Sequence, residues 1–197
     1  MSFRKERKFR LTSSDAKKFR ALLLGRGMSL LHPNRKIASQ YFDTRDLQAF
    51  RDSEEGVLPR FKIRVRWYND DQSSLSLERK TSSVEGRFKT TKAVKAEEFA
   101  NFIRNGIVDQ SYGNLIPSVC IEYRRSYFNY EDLRITFDSD IRYRYSGSAR
   151  QFRDLEEVVE IKAPFEVPDN YLETIVPVPS SRFSKYARSF LHRENAI

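Results

Sequence analysis

From Arg60 to Tyr68 the chain reads Arg-Phe-Lys-Ile-Arg-Val-Arg-Trp-Tyr, with a cation at every second position through Arg66 and apolar residues between. Side chains of an extended strand alternate faces, so Arg60, Lys62, Arg64 and Arg66 share one face and Phe61, Ile63, Val65 and Trp67 share the other. Charges of one sign at that spacing repel, which makes a bridging polyanion the natural counterpart of such a face. A solvated edge strand guarded against aggregation would use the same residues, so other segments have to discriminate. Arg134, Thr136 and Asp138 alternate with Leu133, Ile135 and Phe137, and Glu160 and Lys162 alternate with Val159 and Ile161. Glu78 and Lys80 repeat the pattern around Leu77, as do Arg87 and Lys89 around Phe88 and Arg4, Glu6, Lys8 and Arg10 near the start. Ordinary wet sheet faces mix signs and hydroxyls, whereas here Lys and Arg dominate and carboxylates are sparse. If the ionic faces turn inward in a closed barrel, the lumen suits phosphate chains, with the few acids available to a divalent metal.

The elements that must position these residues are mostly strands. The opening segment from Phe3 to Leu11 reads as a strand. Thr12, Ser13 and Ser14 are N-cap candidates for a helix through Ala16, Phe19, Leu22 and Leu23 that Gly25 ends. Strands follow near Lys36 to Phe42 and Arg60 to Tyr68, with a helical or turn segment from Asp46 to Phe50 between them. Leu75 to Lys80 and Gly86 to Thr91 read as a hairpin turning through Ser82 and Ser83. Lys95 to Arg104 is helical and closes at Gly106. Val119 to Phe128, Leu133 to Asp138 and Glu156 to Lys162 complete the strands, Pro164 to Pro179 reads as irregular, and a last helix runs from Phe183 to His192. Consecutive strands with few helices imply an antiparallel α+β fold. No repeat or compositional break divides residues 1–197, so a single domain is expected.

The net charge of +9, from 36 Lys and Arg against 27 Asp and Glu, calls for an anionic partner. Aromatic residues at 13% favour a folded, strand-rich chain. The single cysteine, Cys120, precludes an intramolecular disulfide, and the charged N-terminus shows no secretory signal or membrane span. A cytoplasmic protein is expected, meeting any membrane only peripherally through a partner. Nucleic-acid binding would require outward cations beside stacking aromatics, and it is not expected.

Read in order, these segments resemble the catalytic domain of the vacuolar transporter chaperone (VTC) polyphosphate polymerases, within the triphosphate tunnel metalloenzymes. The resemblance rests on Arg4-Lys5-Glu6-Arg7-Lys8-Phe9, Ser39-Gln40-Tyr41-Phe42-Asp43-Thr44, the segment Arg60 to Tyr68, Leu77-Glu78-Arg79-Lys80, Tyr123-Arg124-Arg125, Arg134 to Asp138, Glu160-Ile161-Lys162 and Arg182-Phe183-Ser184-Lys185-Tyr186. It implies a closed eight-stranded β tunnel with peripheral helices and a C-terminal helix. It also implies transfer of the terminal phosphate of ATP, or another nucleoside triphosphate, to inorganic polyphosphate with Mn2+ or Mg2+. Carried over by position, Arg64, Arg66, Lys80, Arg125 and Lys185 would act on the reacting phosphates. Lys8, Arg60, Lys62, Lys89, Tyr123, Arg134, Lys162, Arg182 and Ser184 would hold the rest of the chain, and Glu160 and Glu6 would bind the metal. Lys89 competes with Arg87 for its place if the hairpin register shifts.

That residue set suits the reaction, because phosphoryl transfer asks for alignment and charge neutralisation rather than a protein nucleophile. Triphosphatases of the wider group carry Glu-x-Glu-x-Lys on the first strand, and here Arg4 stands at the first position, which favours polymerase over hydrolase chemistry. Hydrolysis of triphosphates and non-catalytic polyphosphate binding remain the alternatives. Structural roles compete at some positions: Tyr41 and Phe42 as core packing, Asp43 as a cap, Arg134 with Asp138 as an ion pair, and Glu78 as a counterion for Lys80 or Arg64. His32 and His192 are too isolated for zinc, and Cys120 suits burial. Oligomeric state is not legible.

Overall fold

The computed structural model describes residues 4–176 and 178–194. Along the chain run β1 (Arg4–Thr12), α1 (Ser13–Gly25), β2 (Ser29–Asp43), α2 (Gln48–Glu55), β3 (Arg60–Tyr68), β4 (Asp71–Ser83) and β5 (Gly86–Val94). Then come α3 (Ala96–Asn105), β6 (Ile107–Asp109), β7 (Gly113–Tyr130), β8 (Leu133–Tyr145), β9 (Gln151–Arg153), β10 (Glu156–Pro164), α4 (Asp169–Ile175) and α5 (Lys185–Glu194). The main strand order is β1-β10-β8-β7-β2-β3-β4-β5, with β6 on β7 and β9 on β8. The α+β, mainly antiparallel class expected from alternation holds, and eight strands make the main path. That path ends at β1 and β5, so hydrogen-bonded ring closure is not part of it among the described residues.

The chain forms two compact units. The first comprises Met1–Lys36, Tyr123–Ile141 and Arg153–Phe183. Its core joins Phe9 and Leu11 of β1, Val159, Ile161 and Ala163 of β10, and Leu133, Ile135 and Phe137 of β8 to Phe19 and Leu23 of α1 and Leu172 of α4. Because β1 pairs Phe9 with Val159, and β10 pairs Val159 with Phe137, the apolar positions of three strands coincide on one face. The intervening positions Lys8, Glu160 and Thr136 form one polar row on the other face, and Glu6, Lys162 and Arg134 form the next. Thr12 caps α1, its hydroxyl accepting from the Asp15 amide at 3.1 Å.

The second unit comprises Ile37–Glu122, Arg142–Phe152 and Ser184–Ile197. Ala38 and Phe42 of β2, Ile63, Val65 and Trp67 of β3, Leu75 of β4 and Phe99 of α3 pack with Leu115 and Cys120 of β7. The even-numbered positions of β3 therefore face away from this core.

Several boundaries depart from expectation. β2 begins at Ser29 rather than near Lys36, because its first half is largely exposed and carries no alternating pattern to mark it. Ser82 and Ser83 belong to β4, and the hairpin turns through Val84 and Glu85 into Gly86, whose φ of 138° lies where only glycine sits without strain. The stretch expected to be irregular contains α4, entered from Pro168 with φ −62°, a conformation that proline favours at a helix start. The last helix starts at Lys185 and not at Phe183, which is buried ahead of it.

Candidate anion-binding sites

In the second unit, strand register turns the alternation of β3 into rows of cations. Lys62 of β3 stands opposite Lys80 of β4, which stands opposite Lys89 of β5. The neighbouring row is Tyr41, Arg64, Glu78 and Thr91, and the next is Ser39, Arg66 and Ser76. The register seats Lys89 in the row and leaves Arg87 opposite Ser82. Three lysines directly opposed across three strands are destabilising without a counterion, and strand spacing puts the first and third about 10 Å apart. One orthophosphate cannot bridge that distance, whereas a chain of linked phosphates can.

Glu78 is the carboxylate within these rows, and it is 5% exposed. Arg64 donates from Nε to Glu78 at 2.7 Å and from Nη1 to the Tyr41 hydroxyl at 2.7 Å. Lys89 donates to the other carboxylate oxygen at 3.0 Å, and Arg66 lies 4.0 Å away. Burial pushes the Glu78 carboxyl up, but Arg64, Arg66 and Lys89 outweigh it and bring its pKa down to about 2. Glu78 thus balances Arg64, one of the two partners expected for it. Burial likewise works to raise the Tyr41 phenol, and Arg64, Arg66 and Lys185 overcome it to lower its pKa. Tyr41 and Phe42 part company: Phe42 enters the core, and Tyr41 points to the ionic face, as adjacent strand residues must.

Helix α5 begins beside this face. Ser184 caps it, its hydroxyl accepting from the Ala187 amide at 3.4 Å and from Lys62 Nζ at 3.0 Å. The ring of Tyr186 stacks on Tyr41 with centroids 4.8 Å apart. Tyr186 also donates its hydroxyl to Asp43, whose carboxylate accepts from the Ala49 and Phe50 amides at 2.9 and 3.0 Å. Asp43 therefore joins β2, α2 and α5, in keeping with the capping role expected of it. Arg60 donates to the Val57 carbonyl at 3.0 Å and holds the loop after α2.

The first unit carries a different pattern, a checkerboard of balanced charges. Lys8 Nζ lies 3.0 Å from Glu6, and Lys162 Nζ lies 3.6 Å from Glu6 and 3.2 Å from Glu160. Arg125 makes a two-pronged pair with the fully buried Asp138, at 2.5 and 2.6 Å, and lies over the Tyr123 ring at 5.4 Å. Burial would lower the Arg125 pKa, but Asp138 and the charges around it hold it well above its ordinary value. The ion pair of Arg134 with Asp138 raised by the sequence is not formed, since Asp138 is taken by Arg125. Arg134 instead lies 5.7 Å from the centre of the Tyr127 ring. Arg182 is exposed ahead of α5.

Glu6 and Glu160 both lie beside the Lys162 ammonium. Thr136, paired with Glu160 across β10 and β8, has a buried hydroxyl oxygen without a hydrogen-bond partner. Among the described residues no cluster of three His, Cys, Asp or Glu could hold a metal. A pair of carboxylates suits a hard divalent cation that completes its shell with phosphate oxygens. Alternation pointed to the strand-borne cations and carboxylates and to Thr136, the resemblance added Tyr123, Arg125, Ser184 and Lys185, and neither placed Tyr41 or Tyr186 on the ionic face. Tyr41 was accessible from its spacing of two from Ser39, whereas Tyr186 depends on the docking of α5.

Among the described residues no helix is long and apolar enough to cross a membrane. The fold is similar to that of a Bacillus halodurans protein described as a candidate adenylate cyclase, with TM-score 0.60, 14% identity and coverage of 95% of this chain and 98% of that one. A Vibrio parahaemolyticus protein with the same description aligns at TM-score 0.52 and 15% identity, over 96% of this chain and 98% of that one. No curated protein matches the sequence. The model of the VTC domain matches residues 3–114 and 108–192, so nearly the whole chain carries its pattern. With strand order, ionic faces and family pattern in agreement, the chain belongs to the VTC domain family.

Proposed function

We propose that this chain is a polyphosphate polymerase that moves the terminal phosphoryl group of ATP to inorganic polyphosphate. The observation that carries the reading is the row Lys62, Lys80 and Lys89 flanked by Arg64 and Arg66, a cationic ladder long enough for several linked phosphates. In the reaction, a terminal oxygen of the acceptor polyphosphate attacks the γ-phosphorus, the bond to the β-bridging oxygen breaks, and ADP leaves with that electron pair. The acceptor oxygen is already ionised, so no side chain has to remove a proton.

Arg66, Lys62, Lys80 and Lys185 align and neutralise phosphate oxygens on the second unit in this scheme, and Arg125, Lys8, Arg134 and Lys162 are the proposed phosphate-holding cations of the first unit. Glu160 and Glu6 would hold Mn2+ or Mg2+, which would neutralise charge on the phosphate oxygens. Residues 1–197 act as one functional domain in the cytoplasm, and any membrane contact runs through a partner.

Purified protein incubated with ATP and Mn2+ or Mg2+ should release ADP and build a ladder of polyphosphate on a gel. Arg66→Ala should lower that rate about 100-fold or more, the usual cost of removing a transition-state charge partner. Orthophosphate release without polymer would instead favour the triphosphatase reading, and tight binding without turnover a binding module.

A further inference from the structure

The cationic rows of the second unit are not empty of anions. Glu78 Oε2 lies 2.7 Å from Arg64 Nε and 2.6 Å from Arg64 Nη2, so the two-donor edge of the guanidinium is closed on a carboxylate. Arg64 Nη1 is given to the Tyr41 hydroxyl at 2.7 Å, and Lys89 is given to Glu78 Oε1 at 3.0 Å. The edge of Arg64 best shaped to clasp a phosphate is thus occupied by the protein itself. We propose that Glu78 is an internal substitute for one ligand phosphate group, holding the Arg64 fork and the Lys89 ammonium until a condensed phosphate displaces it. The inference rests on the reading of these rows as a condensed-phosphate site.

Two consequences follow from the geometry. Glu78 sets one negative charge among Lys62, Arg64, Arg66, Lys80 and Lys89, so the carboxylate lowers the repulsion across the unliganded face. Releasing Arg64 and Lys89 from it is then a fixed cost for every ligand. A ligand long enough to add contacts with Lys62, Lys80 and Arg66 recovers that cost, and orthophosphate, which reaches one or two groups, does not. Glu78 lowers the affinity for every anion alike, so single phosphates fall below measurable binding while linked phosphates stay above it. With a pKa of about 2, it stays ionised under all ordinary conditions, so protonation does not relieve the competition.

The test is calorimetric titration of the full chain and of Glu78→Gln with orthophosphate, pyrophosphate and tripolyphosphate. We expect the variant to bind all three about tenfold more tightly, with orthophosphate binding becoming measurable. Unchanged or weaker tripolyphosphate binding by folded Glu78→Gln overturns the proposal while leaving the condensed-phosphate reading intact. Failure of the wild-type chain to bind tripolyphosphate overturns both. Because Glu78→Gln could lose its fold, the wild-type chain provides a second measurement by NMR. The Glu78 carboxyl carbon and the Arg64 Nε signals should both move as tripolyphosphate saturates the protein, and signals that stay in place at saturation overturn the proposal.

Discussion

Asp138 is 0% exposed and both its oxygens are held by Arg125, so its charge is tolerable only while that pair is intact. Asp138→Asn should destabilise the protein by about 3–5 kcal/mol, read as a lower urea midpoint, with Arg125→Met added in the same chain recovering a good part of the loss. The sequence placed Asp138 on one face with Arg134, but four residues along a strand span about 13 Å, too far for a direct pair, whereas a neighbouring strand brings Arg125 into contact. Glu78 gives a pH signature at the same scale. Its carboxyl drops from 4.5 to about 2 on folding, so the stability it contributes is complete above pH 4.5 and is lost as pH falls from there toward 2. A shift of that size corresponds to at most about 3 kcal/mol. Stability against urea measured between pH 6 and pH 2.5 should therefore fall less steeply in Glu78→Gln than in the wild-type chain.

At the scale of elements, the junction of β3 with α5 is open to test. Ser184 both caps α5 and receives Lys62, so Ser184→Ala removes a helix cap and loosens one end of the lysine row. The cap should cost about 1 kcal/mol in thermal stability, and tripolyphosphate should bind severalfold more weakly by calorimetry. Strands were readable because a period of two is a local property: Lys62, Arg64 and Arg66 announce their shared face from spacing alone. Helix α4 and the first half of β2 were not readable, since proline-rich composition hides one and exposure on both faces hides the other.

For the molecule as a whole, binding to the native chain alone shifts the folding equilibrium. Tripolyphosphate at 100 times its Kd should add about 2.7 kcal/mol, raising the melting temperature by about 5–10 °C in a chain of 197 residues. That rise should shrink as salt increases, because the exposed lysines of the row are screened. An equal rise with sodium sulfate at matched ionic strength would argue against recognition of linked phosphates. The net charge of +9, the strand-borne cations and the order of the motifs were all present in the amino-acid sequence, and they led to the family and to the antiparallel class. Those properties follow from side-chain chemistry and from alternation between neighbours in the chain. Pairing partners were a different matter. That Lys62, Lys80 and Lys89 form one row, that Arg64 closes on Glu78, and that Asp138 goes to Arg125 depends on the register between strands far apart in sequence. Register is set by how the apolar faces coincide in the core, so it exists only once the chain has folded.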